Sequence, residues 1–307
     1  MNYLKVKPFL HGVKKIAQIV LIAFIGIVSM ALGNNEPLLV LDSKPNTVLP
    51  NQLRIVPNYH GLAGIAGSAQ FNQAGLEAIL TKIRLTSKKP INKIWLIDLR
   101  QETHFFANGM PFSLYGYHNH ANLNKTADQI QEEESILITQ LNQKAQPSTV
   151  HLILDKSDGI IQQSEPLSIN LQNSISEEKL AETYNLAYKR FYIADHQAPS
   201  SDTLLEIKKF IEQLNSEDWV IVHCRGGKGR TTTFMLLTAL LQDKKNHPEE
   251  KLNSLESYIQ EQISLGGSDL FSPLSNPPSH SKGGSKEWKK EYMKNRFDFI
   301  RIFYNSL

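Results

Sequence analysis

One stretch of nine residues, set between two apolar runs, constrains the fold of this chain of 307 residues more than any other. The run before it, 218–222, is short and rich in β-branched residues, which predicts a buried strand. The run after it, 232–242, has apolar residues at helical spacing and predicts a helix. The stretch itself, 223–231, reads HCRGGKGRT. We therefore expect a strand, a glycine-rich turn and a helix, whose N-terminal end and unpaired N–H groups form an anion site.

The chemistry of this turn follows from Cys224, which is the only cysteine of the chain, and Arg230, which lies six residues later. N–H donors around a thiol favour the thiolate, which is the nucleophilic form. A guanidinium can hold two phosphoryl oxygens at once, and the Thr231 hydroxyl can donate to the sulfur. This pattern predicts phosphoryl transfer through a cysteinyl-phosphate. The residues expected around the phosphate are Arg225, Gly226, Gly227, Lys228, Gly229 and Thr231.

Simpler interpretations of the same residues exist. A lone cysteine is usually a small buried hydrophobic residue, and a glycine-rich turn before a helix need not bind anything. The joint occurrence of His, Cys, Gly, Arg and Thr at this spacing favours the catalytic interpretation. A Walker loop is excluded because its glycine-to-lysine spacing is absent.

The first 33 residues have the composition of a secretory signal peptide. They carry four lysines, an apolar run without charge over 16–32, and small residues where a signal peptidase cleaves. The alternative is an uncleaved anchor, because the charge-free stretch is nearly long enough to span a bilayer. We expect an exported protein, periplasmic or secreted, that meets a membrane only through this leader if it is not cleaved.

The charge of the chain also depends on the leader. The whole chain carries +3, and removal of the leader takes away four lysines and no acid, which leaves −1. The basic isoelectric point is therefore a property of the leader and predicts no nucleic-acid partner. A single cysteine excludes an intrachain disulfide and leaves one free thiol, for which catalysis supplies a reason.

The rest of the chain alternates between strand and helix patterns, which predicts an α/β fold. We expect an extended N-terminal segment over 34–60 and one catalytic domain over 61–307. Within that domain, 92–99 predicts a second buried parallel strand, 188–193 a third strand, and 148–170 a hairpin. The predicted helices are 73–84, 126–143, 177–186, 204–214, 252–265 and 287–303.

Three other segments predict turns or loops. The glycines of 61–69 indicate a turn at which the backbone passes close to another group. Residues 104–125 read as a long aromatic loop, and its four histidines lack a metal-ligand spacing, so we predict neither metal nor cofactor. Residues 272–285 are rich in Ser, Pro and Gly and predict a loop.

A cysteinyl-phosphate mechanism also needs a group that protonates the leaving oxygen and then activates water. Asp195 directly follows a predicted strand, and Pro199 stiffens the chain behind it. The spacing of 29 residues from Asp195 to Cys224 leaves room for one crossover helix between parallel strands. We therefore predict Asp195 as the general acid and base.

These residues carry a resemblance to a known family. The segments YKRFYIADHQAPS (188–200) and DWVIVHCRGGKGRTTTFM (218–235) resemble the cysteine phytases, which are bacterial protein-tyrosine-phosphatase-like inositol polyphosphate phosphatases. The similarity extends to GSAQFNQAGL (67–76), DLRQETHFFANG (98–109) and GGSDL (266–270), and covers about 53–304. The Cys-x5-Arg loop by itself specifies only a cysteine phosphatase, whereas these segments together indicate this family.

The resemblance implies a fold and a set of roles. The fold would be that of a cysteine phosphatase, with a central twisted, mainly parallel sheet flanked by helices and a small β subdomain. The roles would be nucleophile for Cys224, transition-state clamp for Arg230, and acid and base for Asp195. Phosphate contacts would come from His196, Arg54, Lys289 and Arg296.

The last helix region and the departures from the family bear on the substrate. Residues 282–301 hold seven Lys or Arg against three acids, which suits a substrate with several phosphates, although a solvated helix has the same composition. The loop interior is more cationic than in the family because of Arg225 and Lys228. Ala198 lies where the family often has an aromatic residue, and Asn119 lies where some members have an acidic one, which bears on loop closure and substrate positioning.

We therefore predict an exported phosphatase that hydrolyses phosphate monoesters of inositol polyphosphates, with a polyanionic small molecule as its partner. A protein-tyrosine or dual-specificity phosphatase is the alternative within the same reaction class. A non-catalytic phosphate-binding module is an alternative of another class, but it would lack the cysteine, the arginine or the acid. A rhodanese-like sulfurtransferase also uses a cysteine loop, and transfer of sulfur to cyanide would distinguish it.

Overall fold

The central sheet is built around the strand that precedes the cysteine loop. A computed structural model describes residues 36–44, 47–157, 159–271 and 287–307. The five strands of this sheet are β2 (Arg54–Pro57), β3 (Gly64–Ser68), β4 (Lys93–Asp98), β9 (Ala187–Arg190) and β10 (Asp218–His223). Their order is β2-β3-β10-β4-β9, with β2 antiparallel to β3 and all other neighbours parallel. The predicted mainly parallel sheet is therefore confirmed.

Strand β3 corrects one prediction. The glycine-rich run 61–69 was predicted as a turn, but Gly64–Ser68 is a fully buried strand beside β10. The expected close approach is present, because a Cβ on Gly64 would lie 2.4 Å from the Trp219 ring and one on Gly67 would lie 2.7 Å from the Met235 sulfur. The missing side chains leave room for these two large groups, so glycine here serves packing rather than a turn.

Helices cover both faces of the central sheet, and successive side chains of β10 pack against opposite faces. Trp219 and Ile221 pack with apolar side chains of α1 (Gln73–Thr86) and α3 (Glu177–Thr183). Val220 and Val222 face the other side. The helices on that side are α4 (Ser201–Gln213), α5 (Gly229–Asn246), α6 (Leu255–Ser264) and α7 (Glu287–Asn305). The remaining helix is α2 (Ala127–Gln143), so all seven predicted helices, including the one after the cysteine loop, are confirmed with shifted ends.

A second five-stranded sheet makes the β subdomain larger than predicted. Its order is β5-β6-β1-β7-β8. Its strands are β1 (Leu38–Leu41), β5 (His104–Ala107), β6 (Met110–Tyr115), β7 (Ser148–Ser157) and β8 (Ile160–Ile169). The predicted hairpin over 148–170 is confirmed as β7 and β8. The extended segment 34–60 supplies β1 to this sheet and β2 to the central one.

The prediction of a loop over 104–125 was wrong, because its first half is a hairpin. Strands β5 and β6 pair around Asn108 and Gly109, whose φ angles are 52° and 74°. An Asn-Gly pair between apolar residues is a strong hairpin signal, since both positions adopt positive φ easily. A short 3-10 helix, Tyr117–Asn119, follows the hairpin. Phe105 and Phe112 of this segment are strand residues of a buried core.

The leader predicted over 1–33 and the loop predicted over 272–285 both lie outside the described residues. Among the helices that the structure does describe, none has the length and apolar character needed to cross a bilayer.

Candidate active site

The cysteine loop joins the carboxyl end of β10 to the first turn of α5. Cys224 directly follows β10, and only 3% of its surface is exposed. The Thr231 hydroxyl lies 3.2 Å from the Cys224 sulfur and can donate to it, as predicted. Because β10 is the middle strand of the sheet, both the sulfur and the helix N-terminus are fixed by the most buried part of the fold.

Three carbonyl groups of the loop are held by hydrogen bonds. The Arg225 carbonyl accepts from the Gln70 N–H at 3.2 Å, and the Lys228 carbonyl accepts from the Thr232 N–H at 2.9 Å. The Gly227 carbonyl accepts from Arg54 at 3.0 Å. Since the C=O and N–H of a trans peptide point in opposite directions, the N–H groups that follow these carbonyls face the other side, where an anion can accept from them.

Only glycine fits at position 227. Its φ is +66°, and a Cβ there would lie 2.4 Å from the Ala69 nitrogen. The loop therefore rests directly on the residue that follows β3. This contact explains why a glycine-rich sequence was needed at a position that binds through its backbone.

Arg54 lies beneath the loop rather than in the pocket. The resemblance placed it near substrate phosphate, but its side chain is buried and donates to the Gly227 carbonyl, the Thr232 hydroxyl and the Met235 sulfur. None of these partners carries a negative charge. Arg54 supports the loop from behind and brings positive charge under the anion site.

Arg230 is held by the buried carboxylate of Glu102, which lies just past the carboxyl end of β4. Glu102 accepts from both terminal nitrogens of Arg230, at 2.8 and 2.9 Å. Burial alone raises the pKa of Glu102, but Arg230 and Arg100 lower it well below its usual range. The buried Nε of Arg230 has no hydrogen-bond partner among the described residues. The fork of Arg230 is therefore fixed while part of it stays available to an anion.

Asp195 faces Arg230, as its predicted role requires. One carboxylate oxygen lies 3.1 Å from a terminal nitrogen of Arg230, and the other accepts from the Asn119 amide at 2.9 Å. The ring of His120 lies 2.9 Å from the Asp195 carbonyl oxygen. Although burial raises the pKa of Asp195, Arg230 and His196 bring it far below the usual range. Asp195 is therefore ionised at neutral pH as long as it faces Arg230.

Asn119 explains part of this ionisation. An acid at this position would repel Asp195, whereas the amide of Asn119 donates to both Asp195 and Glu102, at 2.9 and 3.1 Å. Asn119 thus joins Asp195 to the carboxylate that holds Arg230. Its φ of 65° shows the left-handed backbone that Asn tolerates well.

His196 lies beside Asp195 at the pocket wall, as the resemblance implies. Its Nε2 is 3.7 Å from the Asp195 carboxylate, and its backbone N–H donates to that carboxylate at 2.9 Å. Burial lowers the pKa of His196 to about 4, and the cations of the pocket act in the same direction while Asp195 opposes them. The ring is therefore neutral near pH 7 and can donate to a phosphate without carrying charge.

The pocket above the loop has a volume of about 500 Å³ and is lined by cations from three parts of the chain. Arg225, Lys228 and Arg230 come from the loop, Lys289 and Arg296 from α7, and Lys156 from β7. The structure therefore brings Lys289 and Arg296 into the site, as implied by the resemblance. Lys156 and the neighbouring Tyr115 were missed, because nothing in a solvent-facing hairpin signals that it bends over a pocket.

Arg296 is the most unusual of these cations. It is 8% exposed and packs against Gly229, where a Cβ would overlap its guanidinium. Its Nε is buried without a hydrogen-bond partner among the described residues. Burial lowers the pKa of Arg296 to about 10. A buried cation with an unpaired donor beside the loop indicates that an anion completes this site.

A second cluster below the loop could in principle hold a metal. Ligand atoms of Asp98, His104 and Glu177 lie within 4.8 Å of one another and are fully buried. Burial lowers the pKa of His104, but Asp98 outweighs it and raises the value to about 9, and Arg190 lies 3.0 Å from the Asp98 carboxylate. These two cations already balance the carboxylates. The cluster is therefore an ion-pair network, and it extends to His223 through Glu177 at 2.5 Å.

The parallel sheet, the loop of Cys224 and Arg230 and the helix that follows define the cysteine-phosphatase fold class. The family model for protein-tyrosine-phosphatase-like phytases, described as inositol hexakisphosphate, matches residues 97–242. Effector protein hopD2 of Pseudomonas syringae pv. tomato is 27% identical over 247 residues, which are 78% of this chain and 48% of that protein.

Two solved structures share the fold. A protein-tyrosine-phosphatase-like phytase from Bdellovibrio bacteriovorus has 27% identity, covers 88% of both chains and superposes with a TM-score of 0.64. The corresponding myo-inositol phosphatase from Mitsuokella multacida, in complex with myo-inositol-(1,3,4,5)-tetrakisphosphate, has 24% identity and a TM-score of 0.72, over 89% of this chain and 46% of that one. Over residues 97–242, just under half of its length, this chain matches the protein-tyrosine-phosphatase-like phytase family. It spans about half the length of hopD2 and of the Mitsuokella chain.

Proposed function

We propose that the protein is a cysteine-dependent phosphatase that hydrolyses phosphate monoesters of inositol polyphosphates. One observation carries this proposal. The buried Cys224 thiol, the Arg230 guanidinium, whose Nε has no partner among the described residues, and the ionised Asp195 carboxylate meet at one loop, beneath a pocket lined by six Lys or Arg residues. Cys224, Arg230 and Asp195 are all present, which disfavours a binding module without turnover.

Substrate binding would rearrange the charges around Asp195. A phosphate in the loop accepts from the backbone N–H groups and from the free part of the Arg230 fork. It thereby competes with the 3.1 Å pair between Arg230 and Asp195. Loss of that pair, together with the negative charge of the phosphate, raises the proton affinity of Asp195. The aspartate can then enter the reaction in its protonated form.

In the first step the Cys224 thiolate attacks phosphorus. A sulfur–phosphorus bond forms, the ester oxygen–phosphorus bond breaks, and the leaving alkoxide takes the proton from Asp195. Arg230 stabilises the charge that develops on the phosphoryl oxygens, and Glu102 keeps its fork in place. The Thr231 hydroxyl donates to the sulfur when it carries negative charge.

In the second step Asp195 acts in the opposite direction. It accepts a proton from a water molecule whose oxygen attacks phosphorus, and the sulfur–phosphorus bond breaks. The products are inorganic phosphate, the Cys224 thiolate and a protonated Asp195, so the site is ready for the next substrate without a metal or cofactor in either step. His196 is placed beside both states of the aspartate.

The cations of the pocket support a substrate with several phosphates. Only one phosphate occupies the loop, yet Lys156, Lys289 and Arg296 line the space above it. Inositol polyphosphates carry their phosphates on one compact ring and can reach several of these groups at once. The description of the matching family model and the relation to the Bdellovibrio phytase agree with this class.

Phosphate release from myo-inositol hexakisphosphate in the presence of EDTA tests the proposal. We expect turnover in wild type, almost none in Cys224→Ser, and a fall of about 100-fold or more in Asp195→Asn. A panel with inositol tetrakisphosphates and phosphotyrosine peptides, with product isomers resolved, tests the substrate class. Unchanged turnover in either variant would refute the mechanism, and a preference for phosphopeptides would identify a protein phosphatase instead.

We further propose that the protein is exported through its leader. The support is the composition of residues 1–33 and the free thiol for which catalysis accounts. The experiment is expression of the full chain in a bacterial host, followed by fractionation and determination of the N-terminus. Export predicts a periplasmic or extracellular protein that begins near residue 34, and a cytosolic protein that keeps all 33 leader residues would contradict it.

A further inference from the structure

A buried carboxylate from the second sheet reaches the cysteine loop. Asp42 directly follows β1, and its side chain is completely buried. It accepts from Arg225 Nε at 2.7 Å, from Arg100 Nη1 at 2.8 Å and from the Ser113 hydroxyl at 2.9 Å. Although burial raises its pKa, Arg100 and Arg225 bring the pKa of Asp42 below the usual range. It is therefore a fixed negative charge next to the loop.

The contact with Asp42 fixes the direction of the Arg225 side chain. Arg225 follows Cys224 in the loop, and its guanidinium lies 5.0 Å from the centre of the Tyr115 ring. Asp42 thus holds one edge of the guanidinium while Tyr115 lies against its face. Within the described residues the only hydrogen bond of this group comes from Nε, and Arg225 lines the pocket. Its two terminal nitrogens are therefore available as a preorganised fork.

The reacting phosphate does not need this fork. It is surrounded by the N–H groups of the loop and by Arg230, whereas Asp42 draws the Arg225 side chain toward the second sheet. Lys156 approaches the same ring of Tyr115, with its nitrogen 5.2 Å from the ring centre. The two cations flank one aromatic ring at the pocket wall, where a second phosphate of the same substrate would lie.

The carboxylate of Asp42 also connects both arginines of the loop. From Arg225 the contacts run to Asp42, then to Arg100, which lies 3.3 Å from Glu102. Glu102 in turn holds Arg230. Charges alternate in sign along this path, and each member is largely or fully buried. The fork for the second phosphate is therefore built on the same support as the fork for the reacting one.

We propose that Asp42 is a positioning residue that fixes Arg225 as a contact for a second phosphate, so that the pocket selects substrates with at least two phosphates. This inference rests on the proposed phosphatase function and adds a cause for its selectivity. Because Asp42 already holds the Arg225 guanidinium in place, binding of a second phosphate costs less conformational entropy than it would with a freely rotating arginine.

The experiment compares two substrates in one set of variants. The ratio of kcat/KM for myo-inositol hexakisphosphate to that for p-nitrophenyl phosphate, which has a single phosphate, is measured in Asp42→Asn, Arg225→Met and the double variant. We expect each single change to lower the ratio about tenfold. The double variant should fall no further than Arg225→Met, because the two residues act through one contact. Glu132→Gln, an exposed acid in α2, is the control for loss of charge.

Several results would overturn the inference. If the ratio is unchanged in Arg225→Met, Arg225 does not contact a second phosphate. If the falls from the two single changes add up in the double variant, Asp42 does not act through Arg225. If Asp42→Asn does not fold, Arg225→Lys replaces it, since a lysine keeps the charge but not the fork and should lower the ratio severalfold. Wild type that hydrolyses neither substrate would refute the phosphatase function itself, which is a separate outcome.

Discussion

The two ends of helix α5 both carry charged clusters that join distant parts of the chain. At the N-terminal end, Arg230 meets Glu102, whose side chain is 1% exposed. At the C-terminal end, Asp243 lies 2.8 Å from His60 Nδ1, and Glu261 lies 3.1 Å from the other ring nitrogen. The acids of this second cluster are 25% and 38% exposed. The clusters have similar chemistry but different access to water.

The two clusters also differ in whether all of their hydrogen-bond donors have a partner. At the N-terminal end the buried Nε atoms of Arg230 and Arg296 have no hydrogen-bond partner among the described residues. At the C-terminal end both ring nitrogens of His60 are bonded, and the Tyr258 hydroxyl donates to Asp243 at 2.7 Å. Buried donors without a partner are arranged to bind an anion, whereas a cluster whose donors are all bonded joins elements of the fold. Variants at the two ends should therefore affect different measurements.

Loss of the carboxylate that holds Arg230 should have the largest effect. We expect Glu102→Gln to lower kcat about 100-fold, because a neutral amide cannot hold the guanidinium fork against the charge that develops in the transition state. Steady-state kinetics with inositol hexakisphosphate measures this, with circular dichroism to verify the fold. The matched change at the other end of α5, Glu261→Gln, should leave kcat within about twofold of the wild-type value. Equal losses of kcat in both variants would contradict the different roles of the two clusters.

Loss of Arg54, which supports the loop from beneath, should have the second largest effect on kcat. In Arg54→Met the Gly227 carbonyl loses its 3.0 Å partner, so the N–H that follows it is no longer held toward the anion. We expect kcat to fall about 30-fold, less than for complete loss of a donor. Arg84→Met, in the exposed last turn of α1, is the control. If Arg54 instead contacts substrate phosphate, KM will rise while kcat stays near the wild-type value.

Arg296 offers a test in which stability and binding should move in opposite directions. Because its cation is buried with an unpaired Nε, Arg296→Met should raise the thermal midpoint of the empty protein by a few degrees. The same change should raise KM for inositol hexakisphosphate about tenfold. Arg301→Met, exposed on the same helix, should alter neither quantity. A lower thermal midpoint would show that Arg296 is a structural residue.

The smallest effect is expected at the complete cluster. Burial lowers the pKa of His60, but Glu261 and Asp243 outweigh it and raise the pKa above the usual value. The stabilisation from the protonated ring is thus fully present below about pH 6.5, the ordinary value, and is lost as the pH rises through the raised one. Denaturant unfolding should show that His60→Gln costs about 1 kcal/mol at pH 6 and less at pH 9.

Two further results complete this prediction. The kcat of His60→Gln should equal that of wild type, because this cluster lies at the opposite end of α5 from the loop. His247→Gln, at an exposed histidine that follows the same helix, serves as the control for a lost ring. A pH-independent cost in His60→Gln would mean that the ring stabilises the fold by packing rather than by charge.

The sequence was informative wherever a structural signal is local. Strands β4 and β10 follow from short apolar runs, and α2 follows from Thr126, which forms a capping box with Gln129. The hairpin of β5 and β6 carried a signal of this kind in Asn108 and Gly109, and it was missed because the aromatic residues around it were taken as loop. The strand β3 had no such signal, since its glycines reflect the space that Trp219 needs.

The sequence alone determined the anion loop, because the spacing of Cys224 and Arg230, the glycines and the flanking strand and helix are contiguous and act through the local backbone. Only the tertiary structure decided how the loop is charged and held. Glu102, Asn119 and Asp42 are far from the loop along the chain, and they reach it because two sheets and a 3-10 helix meet there. Burial then strengthens the hydrogen bonds and ion pairs of these side chains, and burial is a property of the whole fold.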